Sequence, residues 1–363
     1  MLEHARRSGL RIAMIASSRY PVAEPFAGGL EAHVWHLTRA LTGAGHRVTL
    51  FAAPGSDVPP WTALLRADHF EPSAGARADV SMPPVMAMRE HHAYLSLMLN
   101  LAERSQDYDV IHNHSLHYLP IAMAPAVATP MVTTLHTPPT PWLESAMTMS
   151  PPTNCVAVSA HTAASWGHVT GPIPVIPNGI DADRWPVGEG GDDFAWFGRL
   201  VPEKGAHLAI ETARLAGRGL RIAGPVSDRE YFTTRIAPQL DDRIRYVGHL
   251  AQRDLVAMIG SSAVTLVTPR WDEPFGLVVA ESLCCGTPVA SFRRGGIPEF
   301  LGDAGILVDA DDTHALASGA IAAAGIDRER VREHALRRCS EAAMLDGYQD
   351  LYAGLVDGRE VRR

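Results

Sequence analysis

The sequence has no apolar run long enough to cross a membrane. After Met1–Leu10, which carries Arg6, Arg7 and His4, the stretch Ile12–Ala16 is also too short for the apolar core of a secretion signal. A cytoplasmic location without an integral membrane segment is therefore expected. Cysteine is scarce: of the four, Cys155, Cys284, Cys285 and Cys339, the adjacent pair falls in an expected helix, where a mutual bridge would be strained. The set has neither the pattern of a disulfide framework nor zinc spacing. Basic residues are not in excess, since 40 acids stand against 32 lysines and arginines for a net charge of −8, so no nucleic-acid partner is expected. Two nucleotide motifs are also missing. Ile12–Gly29 contains no Gly-x-Gly-x-x-Gly, which argues against a dinucleotide-dependent oxidoreductase, and no Gly-x4-Gly-Lys-Ser/Thr occurs, which argues against a phosphate-loop NTPase. Repeats and low-complexity tracts are absent too.

What is present is the balance of a folded chain, 46% hydrophobic and 20% charged, in a length of 363 residues that suits two domains. Short apolar or β-branched runs alternate with stretches of helical period. Arg11–Ser17, Arg47–Ala52, Tyr108–Asn113, Met131–His136 and Cys155–Ser159 read as strands, with helices at Leu30–Ala44 and His91–Arg104. Between them, Pro54–Met88 is rich in proline and methionine. Gly171–Pro177 and the turn signal Asn178-Gly179 mark a linker, after which the rhythm restarts. Strands then follow at Phe194–Phe197, Leu220–Ala223, Ile244–Val247, Ala263–Thr268 and Pro288–Ser291, with helices at His207–Ala216, Gln252–Ser261 and Gly276–Cys285. The fold class is α/β, two Rossmann-like doubly wound domains facing across a cleft, each binding ligands beyond the carboxyl ends of its strands. The expected domains are 1–173 and 174–340. The tail Arg328–Asp357 reads as helix with a turn near Gly347, and its C-terminal part, about 341–363, is expected to pack back on the first domain.

Two segments carry chemistry. In Trp271-Asp272-Glu273-Pro274-Phe275-Gly276-Leu277-Val278-Val279-Ala280-Glu281, Glu273 follows a strand and precedes a proline, so a helix is expected to begin right after it. Unpaired first-turn amides and the positive end of the helix dipole would suit a diphosphate. Glu281 lies about two turns further on, where a carboxylate suits a neutral polyol such as ribose. In Phe197-Gly198-Arg199-Leu200-Val201-Pro202-Glu203-Lys204-Gly205, a loop at the carboxyl edge of the second sheet presents Arg199 and Lys204. Two such cations could neutralise a leaving diphosphate without a metal.

With these segments the chain resembles the large retaining glycosyltransferase family 4 of GT-B fold, also called glycosyl transferases group 1. The resemblance rests on Glu273 and Glu281, on Gly198-Arg199 with Lys204-Gly205, and on Pro177-Asn178-Gly179-Ile180-Asp181. Glu281-Ser282-Leu283 leading to Cys285-Gly286-Thr287-Pro288-Val289 and Gly295-Gly296-Ile297-Pro298-Glu299 extend it, from Gly28 to about Val308. It implies that Glu273 faces a donor hexose, Glu281 the ribose, and Arg199 with Lys204 the diphosphate. Phe275, Gly276 and Leu277 would line the same pocket through their amides, and the nucleobase would lie near Val247, Gly248 and His249. Gly28-Gly29 matches the family's glycine loop, and glycines there let backbone approach a ligand. Glu31 reads equally as a first-turn dipole partner or a ligand group. His136, at the carboxyl end of a strand, would contact the donor sugar or the acceptor side, whereas His112 and His114 read as structural.

The implied activity is transfer of a hexose from a UDP- or GDP-linked sugar to a hydroxyl acceptor, with retention, by same-face attack, and with no metal or other cofactor. The acceptor is a sugar, lipid or natural product. Another GT-B nucleotide-sugar enzyme such as an epimerase, or a non-catalytic nucleotide-sugar binding protein, is the alternative; the latter would be expected to lose the charged residues present here. Three Asp-x-Asp runs exist, at Asp107–Asp109, Asp181–Asp183 and Asp309–Asp311, and none reads as a metal site. The last is expected to cap a helix.

Overall fold

The computed structural model describes residues 9–57, 62–66, 70–150 and 154–358. The start of the chain before Gly9, parts of the Pro54–Met88 stretch and the end of the expected C-terminal helix, 359–363, lie outside these residues.

Two parallel six-stranded sheets form the molecule. The first contains β1 (Arg11–Ile15), β2 (Arg47–Ala52), β3 (Thr62–Leu64), β4 (Val110–Asn113), β5 (Met131–Leu135) and β6 (Cys155–Ala157), in the order β3-β2-β1-β4-β5-β6. The second contains β7 (Phe194–Phe197), β8 (Leu220–Ala223), β9 (Ile244–Gly248), β10 (Val264–Val267), β11 (Val289–Phe292) and β12 (Gly305–Val308), in the order β12-β11-β10-β7-β8-β9. Runs such as Phe-Ala-Trp-Phe and Val-Thr-Leu-Val are buried at every position, because helices cover both sheet faces and no polar alternation is required. In each sheet the strand order reverses once, between β1 and β4 and between β7 and β10, and a crevice opens beyond the carboxyl ends there.

The chain passes between the halves twice. Ala157 of β6 donates to Pro174 O at 3.0 Å and accepts from Ile176 N at 2.9 Å, so residues 174–176 still belong to the first sheet. The passage lies at Pro177–Gly179, later than the expected start of a second domain at 174. The return runs beside it: Ile180 N donates to Cys339 O at 2.7 Å, and Glu341 N donates to Ile180 O at 3.2 Å. A Cβ on Gly179 would stand 2.6 Å from Glu341 Cα and 2.8 Å from Ser340 O, so only glycine allows this approach.

The tail forms two helices, Arg328–Arg338 and Glu341–Val356. The break falls at Cys339–Ser340, where Ser340 caps the second helix, and not near Gly347. Gly347 sits inside that helix, where a Cβ would reach Ile176 Cγ2 at 3.3 Å, so it is small for packing and not for a turn. The last helix lies on the first sheet, with Tyr348 and Tyr352 buried beside Ile12, Met14 and Leu37. Tyr352 OH meets His112 Nδ1 at 2.6 Å, and Tyr348 OH meets Thr134 Oγ1 at 3.2 Å, which satisfies the phenols inside the core. Arg328 fixes the preceding helix by donating to the carbonyls of Gly188, Gly260, Ser262 and Cys285.

The Asp-x-Asp runs have structural partners. Asp109 pairs with Arg11 at 2.7 Å, Asp107 with Arg104 at 2.6 Å, and Asp181 accepts from Asp183 N. Capping of the helix Thr313–Ala323 falls to Asp312, which accepts from Ala315 N at 2.8 Å, while Asp311 pairs with Arg294. A further difference is the helix Val85–Glu103, which starts well before His91.

Gly179→Ala is expected to lower stability by about 1–3 kcal/mol, because the backbone facing it cannot withdraw. Gly354→Ala, inside the final helix Glu341–Val356 with no atom within 4 Å of the added carbon, should raise it by about 0.5–1 kcal/mol. Thermal melts of the two variants test the pair; equal effects would contradict the crossing geometry.

Candidate active site

A cleft of about 390 Å³ opens between the two sheets, within the size of small-molecule sites, and both halves of the chain line it. On its second-sheet side, the loop after β7 carries Arg199, and the turn Pro202–Lys204 brings Lys204 to the carboxyl edge of the sheet. Lys204 Nζ forms a close ion pair with Glu273 Oε1, and Trp271 Nε1 donates to the same oxygen at 2.9 Å. The ammonium also lies 5.0 Å from the centre of the Trp271 ring. Glu273 is 7% exposed, so this pairing compensates a carboxylate largely removed from water. Among the described residues nothing hydrogen-bonds its second oxygen, Oε2.

The helix after Glu273 begins later than expected. It spans Leu277–Cys284, with Gly276 as its N-cap at φ +89°, so Pro274 and Phe275 belong to the loop. Two contacts hold that loop in place: Gly296 N donates to Glu273 O at 2.7 Å, and Phe275 packs on Phe300 with ring centres 4.1 Å apart. Phe275, Gly276, Leu277 and Val278 line the cleft, where the first-turn amides and the dipole favour an anion. Glu281 also lines it, but only about one turn inside the helix. Burial pushes its carboxyl up to about 7.

From the first sheet the glycine loop reaches across. A Cβ on Gly29 would lie 3.0 Å from Leu277 Cδ1, so the loop touches the start of the facing helix. Arg199 Nε is within 3.9 Å of the Cβ position of Gly28. Glu31 is 5% exposed; burial raises its carboxyl, opposed by its own backbone amide and then by the charge of Arg199. His136, half-buried after β5, lines the cleft and bonds His114 Nδ1 through Nε2 at 2.9 Å. Burial pushes its imidazole down to about 3, so it is neutral near pH 7.

The cleft therefore gathers Arg199, Lys204, Glu273, Phe275, Gly276, Leu277, Glu281, Gly28, Gly29, His136 and His249. Val247 and Gly248 are not brought to its wall. Val247 packs against the core of the second sheet, and the carbonyl of Gly248 accepts from Gly224 N at 2.9 Å. Leu250 takes their place, next to His249, whose Nε2 meets Phe26 O at 3.1 Å. Sequence reasoning did not single out Trp271 as a partner of Glu273, although their spacing of two residues in a loop was visible. Asn178 is only a turn signal in the sequence, yet it lines the cleft with its Oδ1 buried and, among the described residues, without a hydrogen bond.

Comparison with known proteins agrees with this architecture. Residues 27–184 match the model for Glycosyltransferase Family 4, and residues 181–338 match that for Glycosyl transferases group 1. A glycogen synthase of Mycobacterium tuberculosis is 30% identical over 335 residues, covering 80% of each chain. The chain belongs to glycosyltransferase family 4. It is an enzyme, a hexosyltransferase, with the GT-B fold. A D-inositol 3-phosphate glycosyltransferase of Acidothermus cellulolyticus is 28% identical over 90% of this chain and 86% of its own. Among solved structures, a sucrose-phosphate synthase of Thermosynechococcus elongatus superposes with a TM-score of 0.76 at 20% identity, covering 96% of this chain and 100% of that one. Among the described residues no helix of this hexosyltransferase is long and apolar enough to cross a membrane.

Glu281 gives a pH test of the ligand-free cleft. Its folded value lies above the ordinary carboxylate value of 4.5, so the folded state favours the proton, and the stability this gives is lost as pH rises from about 4.5 through about 7. Glu281→Gln should therefore raise the melting temperature at pH 8, by the equivalent of about 1–3 kcal/mol, and leave it unchanged near pH 4.5. A gain of the same size at both pH values would show that Glu281 is not desolvated.

Proposed function

We propose that this glycosyltransferase moves a hexosyl group from a UDP- or GDP-linked sugar to a hydroxyl acceptor, with retention and without a metal. The convergence of Arg199, Lys204 and the Leu277 helix start on one cleft supports this reading. In it the diphosphate of the donor lies against the first-turn amides, with the guanidinium of Arg199 and the ammonium of Lys204 compensating its charge. Lys204 is already held by Glu273, so little reorganisation is needed when the anion arrives or when charge builds on the leaving oxygen. Glu281 accepts from the ribose hydroxyls, which relieves the cost of its burial. Glu273 orients the hexose through Oε2.

As the bond from the anomeric carbon to the diphosphate oxygen breaks, the acceptor hydroxyl attacks from the same face. Its proton passes to the departing oxygen, and Arg199 and Lys204 stabilise the resulting diphosphate. Neutral His136 lies at the sugar end of the cleft, where it donates or accepts a hydrogen bond without adding positive charge beside the developing oxocarbenium ion. The four free cysteines, all buried, suit the reducing cytoplasm as the compartment.

Arg199→Ala and Lys204→Ala are each expected to lower turnover by about a hundredfold or more; the melting temperature should change little in the first and fall in the second, which leaves the buried Glu273 carboxylate without its ion pair. EDTA should leave turnover standing. Near-normal turnover in both variants, or full loss with EDTA restored by magnesium or manganese, would reject the assignment.

A further inference from the structure

Three histidines from separate elements meet where the first sheet borders the cleft. His33 comes from the helix Gly29–Gly43, His114 follows β4 and His136 follows β5. Their ring centres form a nearly equilateral triangle: 5.2 Å for His33 and His114, 5.0 Å for His33 and His136, and 5.2 Å for His114 and His136. One ring nitrogen from each lies within 4.8 Å of those of the other two. His33 is 3% exposed and neither of its ring nitrogens has a hydrogen-bond partner. His114 is fully buried, and its Nε2 is also without one. Within the trio the single hydrogen bond joins His114 Nδ1 and His136 Nε2.

Buried polar atoms are ordinarily paired, so three unpartnered nitrogens in one place ask for an occupant. Imidazole nitrogens are the atoms histidine gives to a metal, and a ring taken from each of three elements can supply one apiece.

We propose that His33, His114 and His136 form a site for an imidazole-preferring divalent cation of the zinc type. Tetrahedral coordination at a metal–nitrogen distance of about 2.0–2.1 Å places imidazole centres about 5 Å apart, the size of this triangle. No carboxylate belongs to the trio, a ligand set that suits zinc, copper or nickel and disfavours magnesium and manganese. The ion takes one nitrogen from each ring, so it partners one nitrogen of His33, and a turn of the His114 ring that gives up its bond to His136 presents Nε2 to the same ion. With three protein ligands the fourth position stays open, and because His136 lines the cleft, that position is on the cleft side. An occupied site withdraws His136 from the sugar end, so the cation inhibits transfer; this consequence alone rests on the place given to His136 above.

The test uses the whole chain, stripped with a chelator and titrated with Zn²⁺ by calorimetry and with Co²⁺ by visible absorption, both without donor. One ion per chain and the intense visible bands of tetrahedral cobalt are expected. His33→Gln and His114→Gln, each checked for folding by its melt, should weaken binding at least tenfold, whereas His207→Gln, in the helix Ala206–Leu215 of the second half, should not. If the first two variants fail to fold, the cobalt spectrum of the unaltered chain decides, since tetrahedral and six-coordinate cobalt differ in intensity. Absence of binding at micromolar metal, an octahedral spectrum, or undiminished binding in the folded variants would overturn the site. Binding as expected with turnover untouched by Zn²⁺ would keep the site and overturn the place of His136 in transfer.

Discussion

The two halves of the molecule are joined by a pair of passages that hydrogen-bond to each other, Ile180 with Cys339 and Glu341. That short parallel contact sets where the sheets stand. It needs a residue without a side chain at Gly179, and it leads directly into the final helix, whose Tyr348 and Tyr352 are buried in the first sheet's core. The last segment of the chain therefore ties the second half back to the first. Two paired passages, and not a single linker, thus join the two separately packed bodies that border the cleft.

Within the cleft, charge is arranged before any ligand arrives. Lys204 is matched by Glu273 and steadied over Trp271, while Arg199 stands near Glu31 across the gap. Among the described residues Glu281 has no comparable partner, and burial pushes its carboxyl upward. An anion entering between the cations and the helix start would be compensated at once, and hydroxyls reaching Glu281 would give it the hydrogen bonds it lacks. The same removal from water keeps His33, His114 and His136 neutral at the first-sheet wall.

Much of this was legible in the sequence because parallel strands covered on both faces are written as unbroken apolar runs. Phe194–Phe197 and Val289–Phe292 are examples, and the loops after such strands had to fall on one edge. Arg199, Lys204 and Glu273 could be placed for that reason. The apolar stretch Gly276–Cys285 marks the donor-side helix to within a residue; Pro274 suits a first helical position, but the left-handed Gly276 and the bond from Gly296 to Glu273 delay the start to Leu277. The break in the tail was assigned to Gly347 because a glycine inside a helix usually weakens it; here contact with Ile176 explains it, a neighbour far away in sequence. Val247 and Gly248 are placed near a base, mostly through backbone, by resemblance alone; at the end of β9 the Val247 side chain packs on the core and the Gly248 carbonyl accepts from Gly224 N. The meeting of His33 with His114 and His136 depends on how a helix lies across two strands, which no local pattern records.

In the proposed mechanism the cleft stabilises a departing diphosphate on the face from which the acceptor attacks. The anomeric coupling constant of the product by proton NMR, set against that of the nucleotide-sugar donor, tests it most directly. The same anomeric configuration in both is the predicted result; an inverted product would contradict the account.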